Sequence, residues 1–156
     1  MLPRTCLGHD SEEMLAILEP FDPRQVGVCL DVNHANLRED VLAATRNLAP
    51  RVVTTHISDN DGDDERHWMP GKGIIPWGPW SDTLVGAGYD GPFIYEVGWQ
   101  KVGEPEHTLA ERFAAIRRNA EELLLGGAWG ADLRSYFLAM RLRTSRPRSI
   151  VASGAV

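Results

Sequence analysis

Three short apolar runs, each closing on an ionisable residue, constrain this chain more than any other feature. They are Gln25-Val-Gly-Val-Cys-Leu-Asp31, Arg51-Val-Val-Thr-Thr-His56-Ile57 and Pro92-Phe-Ile-Tyr-Glu96-Val97. Continuous apolar runs of this length read as strands buried on both faces, as in parallel sheets. Between them lie stretches with helical spacing. Asp10 is placed to cap a first helix, with Glu13 at its third position, an apolar face of Met14, Ile17 and Leu18, and Pro20 as its stop. Asn36 is placed to cap a second, with Glu39 closing the cap, Leu37, Val41, Ala44 and Leu48 recurring along one face, and Pro50 ending it. Trp77, Trp80, Leu84 and Val85 mark a short helix that stops at Gly86-Ala-Gly88. Pro105 and Glu106 open a long one, whose stripe of Leu109, Phe113, Ile116, Ala120 and Leu123 predicts a core-facing surface. The order αβαβαβα with short connections predicts an α/β fold of parallel strands and right-handed crossovers.

In such folds the functional edge is the one at the C-terminal ends of the strands. Alternate strand residues share a face. Cys29 and Asp31 therefore lie together, as do Thr54 and His56, and Ile94 and Glu96. A lone carboxylate buried at a strand end costs several kcal/mol unless it is paired or metal-bound. Asp31, His56 and Glu96 converging on one mouth would make a mixed oxygen and nitrogen site suited to Mn²⁺, Mg²⁺, Co²⁺ or Zn²⁺. One strand-end Asp is often only a cap and one His only a structural group; three in succession are harder to dismiss.

His34 follows Asp31 closely enough to reach the same mouth, or else caps the next helix. The acidic loop after His56 holds Glu65, Arg66 and His67, which could furnish a second metal, a substrate clamp or a lid. Asp61, Asp63 and Asp64 read equally well as a solvated face. Gly71-Lys72-Gly73 offers backbone amides and an ammonium to an anionic or hydroxylated ligand, or is an ordinary turn. Trp77 and Trp99 either wall a pocket or belong to the core.

Length and charge bound the rest. The 156 residues fit one domain with its own core. A net charge of −6 argues against coating nucleic acid or a membrane surface. Two cysteines, Cys6 and Cys29, make no disulfide framework, and Cys29 in an apolar strand is expected as a buried, reduced thiol, which fits a cytoplasmic protein. No apolar run approaches a membrane span, and the first ten residues lack the apolar region of a secretory leader. From Asp132 onward there are five Arg and one Asp, net +4, against net −10 for the first 131 residues. Gly126 to Gly130 is expected to break the last long helix, 132–142 to form one more, and the basic remainder to be disordered.

VCLDVNH (28–34), THISDNDG (55–62), HWMPGKGIIPW (67–77) and GYDGPFIYEVGW (88–99) resemble the xylose isomerase-like (β/α)8 superfamily, and more closely its sugar phosphate isomerase/epimerase members. The resemblance covers roughly Leu7 to Leu125. It implies a partial TIM barrel, strands six to eight with their helices, in 1–125, and leaves 126–156 to the extra helix and basic tail read from composition. It implies a metal bound by Glu, Asp, His and Glu at four successive strand ends. Asp31, His56 and Glu96 match the last three; the first Glu has no match and would lie just before Met1. A whole barrel takes about 250 residues, so the chain reads as a partial sequence with little activity of its own. The implied reaction is sugar or polyol isomerisation or epimerisation, by proton abstraction next to a carbonyl through a metal-bound enediolate. Glu96 would be both ligand and acid/base, and His34, Arg66, His67, Lys72 and Trp77 candidate substrate contacts. Two alternatives stand beside it: a non-catalytic half-barrel that self-associates as a homo-oligomer, and, more distantly, a DNA-repair enzyme like endonuclease IV, whose Asp-Arg-His triplet Glu65-Arg66-His67 resembles.

Overall fold

The structure is a computed structural model describing residues 7–99 and 107–124. Eight regular elements position the site: α1 (Ser11–Leu18), β1 (Val28–Asp31), α2 (Val32–Asn36), α3 (Val41–Leu48), β2 (Val52–Ile57), α4 (Trp77–Gly86), β3 (Phe93–Tyr95) and α5 (Leu109–Asn119). A 3-10 turn (Ala49–Arg51) precedes β2, and a π-helical turn (Ala120–Leu124) continues α5. The strands form one parallel sheet in the order β1-β2-β3, with Asp31 paired to His56 and His56 to Ile94. This is an α/β fragment with the construction of part of a TIM barrel. The expected break at Gly126, the helix over 132–142, the basic tail and Cys6 lie outside the described residues; the last long helix opens at Leu109, where Thr108 and Glu111 supply its cap, and not at Pro105 and Glu106.

One face of the sheet is packed by the helices and the other is open. Val28, Leu30 and Ile57 are buried beneath the helices, and Trp80 and Leu84 of α4 are fully enclosed. Trp80 meets Trp77 and Phe93 edge-on, with ring centroids 5.3 and 6.0 Å apart. Each such buried side chain is worth about 1.5–3 kcal/mol. On the open face Cys29 is exposed and Ile94 is 43% exposed. The strands are therefore one-sided rather than buried on both faces, and Cys29 is an exposed thiol rather than a buried one. The reason is that the described helices all lie on one side of the sheet.

The caps follow the sequence in part. Asp10 Oδ1 accepts the Glu13 amide at 2.8 Å, as expected for α1. The second helix differs. Asp31 caps the short α2 by accepting the His34 amide, and Asp40, not Asn36, caps α3 by accepting the Ala43 amide at 2.7 Å. Asn36 is engaged elsewhere: its side-chain amide donates to Asn60 Oδ1 at 2.8 Å. Glu39 does not close that cap either. Its carboxylate accepts the Ser11 amide at 2.7 Å and the Ser11 hydroxyl at 2.8 Å, so it serves the N-terminus of α1. α4 ends as expected, with Gly88 at φ +89° and Tyr89 N–H bonding back to the Leu84 carbonyl.

α5 departs furthest from its pattern. Thr108 and Glu111 form a capping box that starts it. Yet Leu109 is 68% and Phe113 61% exposed, and no residue of the helix is buried. Its attachment is polar and lies at its end: Asn119 donates to the Pro70 carbonyl at 2.8 Å and accepts from Tyr95 OH at 3.0 Å. Burial pushes the Tyr95 phenol above its ordinary range, which keeps it a donor.

Candidate metal centre

The register of the sheet gathers three ionisable side chains at its C-terminal rim. Asp31 and His56 are direct partners across β1 and β2. Glu96 lies one step beyond the last pair of β3, where its amide still donates to the Ile57 carbonyl at 3.0 Å. All three project from the open face. His56 Nδ1 sits between the two carboxylates, 3.6 Å from Asp31 Oδ2 and 3.2 Å from Glu96 Oε2. One ligating atom from each residue lies within 4.8 Å of the other two. Neighbouring ligands on a divalent ion, with bonds of about 2.1 Å, stand about 3.0–3.4 Å apart. Two carboxylates and one imidazole also suit Mn²⁺, Mg²⁺, Co²⁺ or Zn²⁺ by ligand type. By ligand type the residues present suit a divalent cation, around which they would draw in from their 4.8 Å spread, with coordination positions left for further ligands. Cys29, two residues before Asp31 on the same face, has its thiol pushed up by desolvation and by the Asp31 and Glu96 charges, so it is a poor thiolate.

Around this cluster the histidines and acids form a polar rim. His34 Nδ1 is 3.5 Å from Asp31 Oδ2, and its Nε2 is 3.2 Å from Glu65 Oε1. His67 Nε2 lies 3.9 Å from Glu65 Oε2. Glu65 therefore bridges two imidazoles, but among the described residues no second group of three ligating side chains converges. Arg66 is turned to its own loop: Nε donates to Asp61 at 2.8 Å and Nη1 to Asp64 at 3.3 Å. Asp61 holds that pair, which raises the guanidinium's proton affinity further.

The loop that carries these groups is built on a residue the sequence reading passed over. Asp59 is 0% exposed. Its carboxylate accepts from the amides of Asn60 (3.0 Å), Gly71 (2.8 Å) and Ile75 (3.2 Å) and from the Trp77 indole N–H (2.9 Å). Its backbone forms a two-way bridge with Trp68. The Gly71 amide thus serves an internal anion. Gly73 is glycine because a Cβ there would strike the Asn60 carbonyl and the Asp59 carboxylate. Trp77 is buried in the core with its indole spent on Asp59, and Lys72 sits on an exposed turn. A buried ladder of Asn33, Ser58 and Asn60 underlies the loop: Asn33 donates to Ser58 at 2.9 Å, and Asn60 donates to Asn33 at 2.7 Å. The only sequence sign of these residues was the pairing of a strand-end Asp-Asn with a Pro-Gly-x-Gly further on.

Successive parallel βα units with ionisable residues gathered at the C-terminal ends of their strands are the construction of (β/α)8 barrels. The chain belongs to the xylose isomerase-like TIM barrel family, whose sequence model matches residues 1–119. It is similar to the ketose 3-epimerase of Arthrobacter globiformis, 27% identical over 136 residues, covering 85% of this chain and 44% of that protein. It is 27% identical over 117 residues to the fructoselysine 3-epimerase of Escherichia coli O157:H7, covering 71% and 41%. A crystal structure of D-psicose 3-epimerase in the presence of D-fructose superposes with a TM-score of 0.60 at 22% identity, covering 74% of this chain and 44% of that one. The chain thus spans less than half the length of each of these proteins. Among the described residues no helix is long and apolar enough to cross a membrane.

Proposed function

We propose that this chain carries three of the metal ligands of a sugar epimerase or isomerase, and that its substrates are ketoses or related polyols. The observation that supports this most is the meeting of Asp31, His56 and Glu96 within 4.8 Å at one rim, in a chain of this family. Asp31, His56 and Glu96 would hold a divalent cation, which when bound would polarise a substrate carbonyl and offset the charge left on it when an adjacent proton departs. Glu96, about half exposed, faces the substrate side and is the group able to receive or return that proton on one face. His34 presents an imidazole beside Asp31, placed to hold a substrate hydroxyl. Arg66 would hold a second oxygen, for which a substrate must compete with Asp61 and Asp64.

Titration of the 156-residue chain with Mn²⁺ or Co²⁺ should give one bound ion. His56→Ala and Glu96→Gln should each weaken binding by at least about tenfold. In D₂O, whatever deuterium the metal-loaded chain introduces next to the carbonyl of a ketose, a small amount for a partial barrel and read by NMR, should be lost in Glu96→Gln. A chain that binds neither ion would overturn the proposal.

A second reading, a non-catalytic half-barrel that pairs with another copy, is favoured by the open sheet face and the exposed Leu109 and Phe113. Light scattering across a concentration series separates the two: pairing predicts a dimer that Phe113→Ser dissociates.

A further inference from the structure

Among the described residues His67 is the one non-glycine residue with positive φ, +47°. Such a backbone persists where the surroundings fix it. Here the fixing bonds straddle one residue. The His67 carbonyl accepts the Gly98 amide at 2.8 Å, and the His67 Nδ1 stands 3.1 Å from the Glu96 carbonyl. A carbonyl only accepts, so the ring carries its hydrogen on Nδ1. Ser58 Oγ, at the end of the strand that bears His56, lies 3.3 Å from the same nitrogen. The ring's other nitrogen faces Glu65.

We propose that His67 is a positioning residue whose Nδ1–H and backbone carbonyl brace the chain immediately after Glu96, at the Glu96 carbonyl and the Gly98 amide on either side of Val97, and so aim the Glu96 carboxylate at His56. The inference rests on the reading of Asp31, His56 and Glu96 as a metal set. It gives His67 a role distinct from contact with substrate or metal, which would use Nε2. The left-handed backbone keeps its carbonyl turned to Gly98, and the ring ties the end of β3 to the end of β2. Second-layer hydrogen bonds of this kind are what orient metal ligands.

The test exploits the position of the nitrogen. The side-chain amide of Asn lies the same number of bonds from Cα as Nδ1, and Asn tolerates positive φ. Gln places its amide where Nε2 lies. On the full chain, His67→Ala and His67→Gln should weaken Mn²⁺ binding about tenfold and speed hydrogen exchange at the Gly98 amide, whereas His67→Asn should keep both. Retention in His67→Gln with loss in His67→Asn would show that the ring works through Nε2 and overturn the proposal, as would wild-type behaviour in all three variants. If the Ala and Gln variants do not fold, a folded His67→Asn that has lost Mn²⁺ binding or Gly98 protection overturns it alone. If the unaltered chain takes up no Mn²⁺, the metal reading fails separately. Gly98 exchange then decides the brace: faster in Ala and Gln but not Asn supports it, and equal rates in all overturn it.

Discussion

The loop from Asp59 to Pro76 and the helix α5 each come after a strand in the chain, and they are held in opposite ways. The loop has little regular structure, yet Asp59 fastens it at Asn60, Gly71, Ile75 and Trp77, and Trp68 is bridged to Asp59. α5 is regular from its first turn, yet it buries no side chain and is moored through Asn119. The loop depends above all on one buried carboxylate at its start, the helix on its own capping box and spacing. A segment whose ends are joined through a single buried hub should be fragile at that hub. A segment built from local signals should tolerate change along its face and respond only at its cap.

The largest effect should therefore come from Asp59→Ala. It strands several buried donors at once, each costing about 1–3 kcal/mol, and should lower stability by roughly 3–5 kcal/mol in urea unfolding. The indole of Trp77 loses its acceptor, so its fluorescence should shift in the still-folded fraction. A loss below about 1 kcal/mol would erase the contrast between the segments.

α5 supplies the opposite expectation. Phe113→Ser should change stability by less than about 0.5 kcal/mol in the monomer, as exposed substitutions do. Thr108→Ala removes the cap and should cost about 1 kcal/mol. A Phe113 effect larger than the Thr108 effect would mean that the apolar stripe packs on something, and would revive the core-facing role its spacing implies.

These two segments also mark what the sequence made readable. The strand ends were legible because a period of two places Asp31, His56 and Glu96 on one face whatever the details of packing. Parallel pairing then followed from the alternation of elements. The loop was not legible in the same way. Asp59 is the same letter as Asp61, Asp63 and Asp64, and composition cannot say which of four acids turns inward. Only the distant amides of Gly71 and Ile75 decide that. The second helix was misplaced because Asn36 and Asp40 are both competent caps, and the choice is made by Asn60, twenty-four residues away, which claims Asn36. The stripe of α5 misled for a related reason: spacing reports amphipathicity, not what lies opposite.

The smallest effect sharpens the comparison at α1, whose N-terminus carries an ionisable pair of its own beside the distant Glu39. His9 Nδ1 lies 2.7 Å from Glu13 Oε2, and the amides of Gly8 and His9 donate to the same oxygen. The Glu13 hydrogen bond lifts the His9 imidazole above its ordinary 6.5, and the bonds from His9 hold Glu13 below its ordinary 4.5. A raised imidazole contributes stability below its unfolded value and loses it as pH rises through the folded one. A lowered carboxyl contributes above its unfolded value and loses that as pH falls through the folded one. The pair is thus most effective between about 4.5 and 6.5. Thermal unfolding of His9→Ala against the unaltered chain should show its larger Tm difference inside that window, a smaller one as pH rises well above it, and a further reduction in high salt. An equal difference at mildly acidic and alkaline pH would mean that His9 acts there by packing rather than by charge.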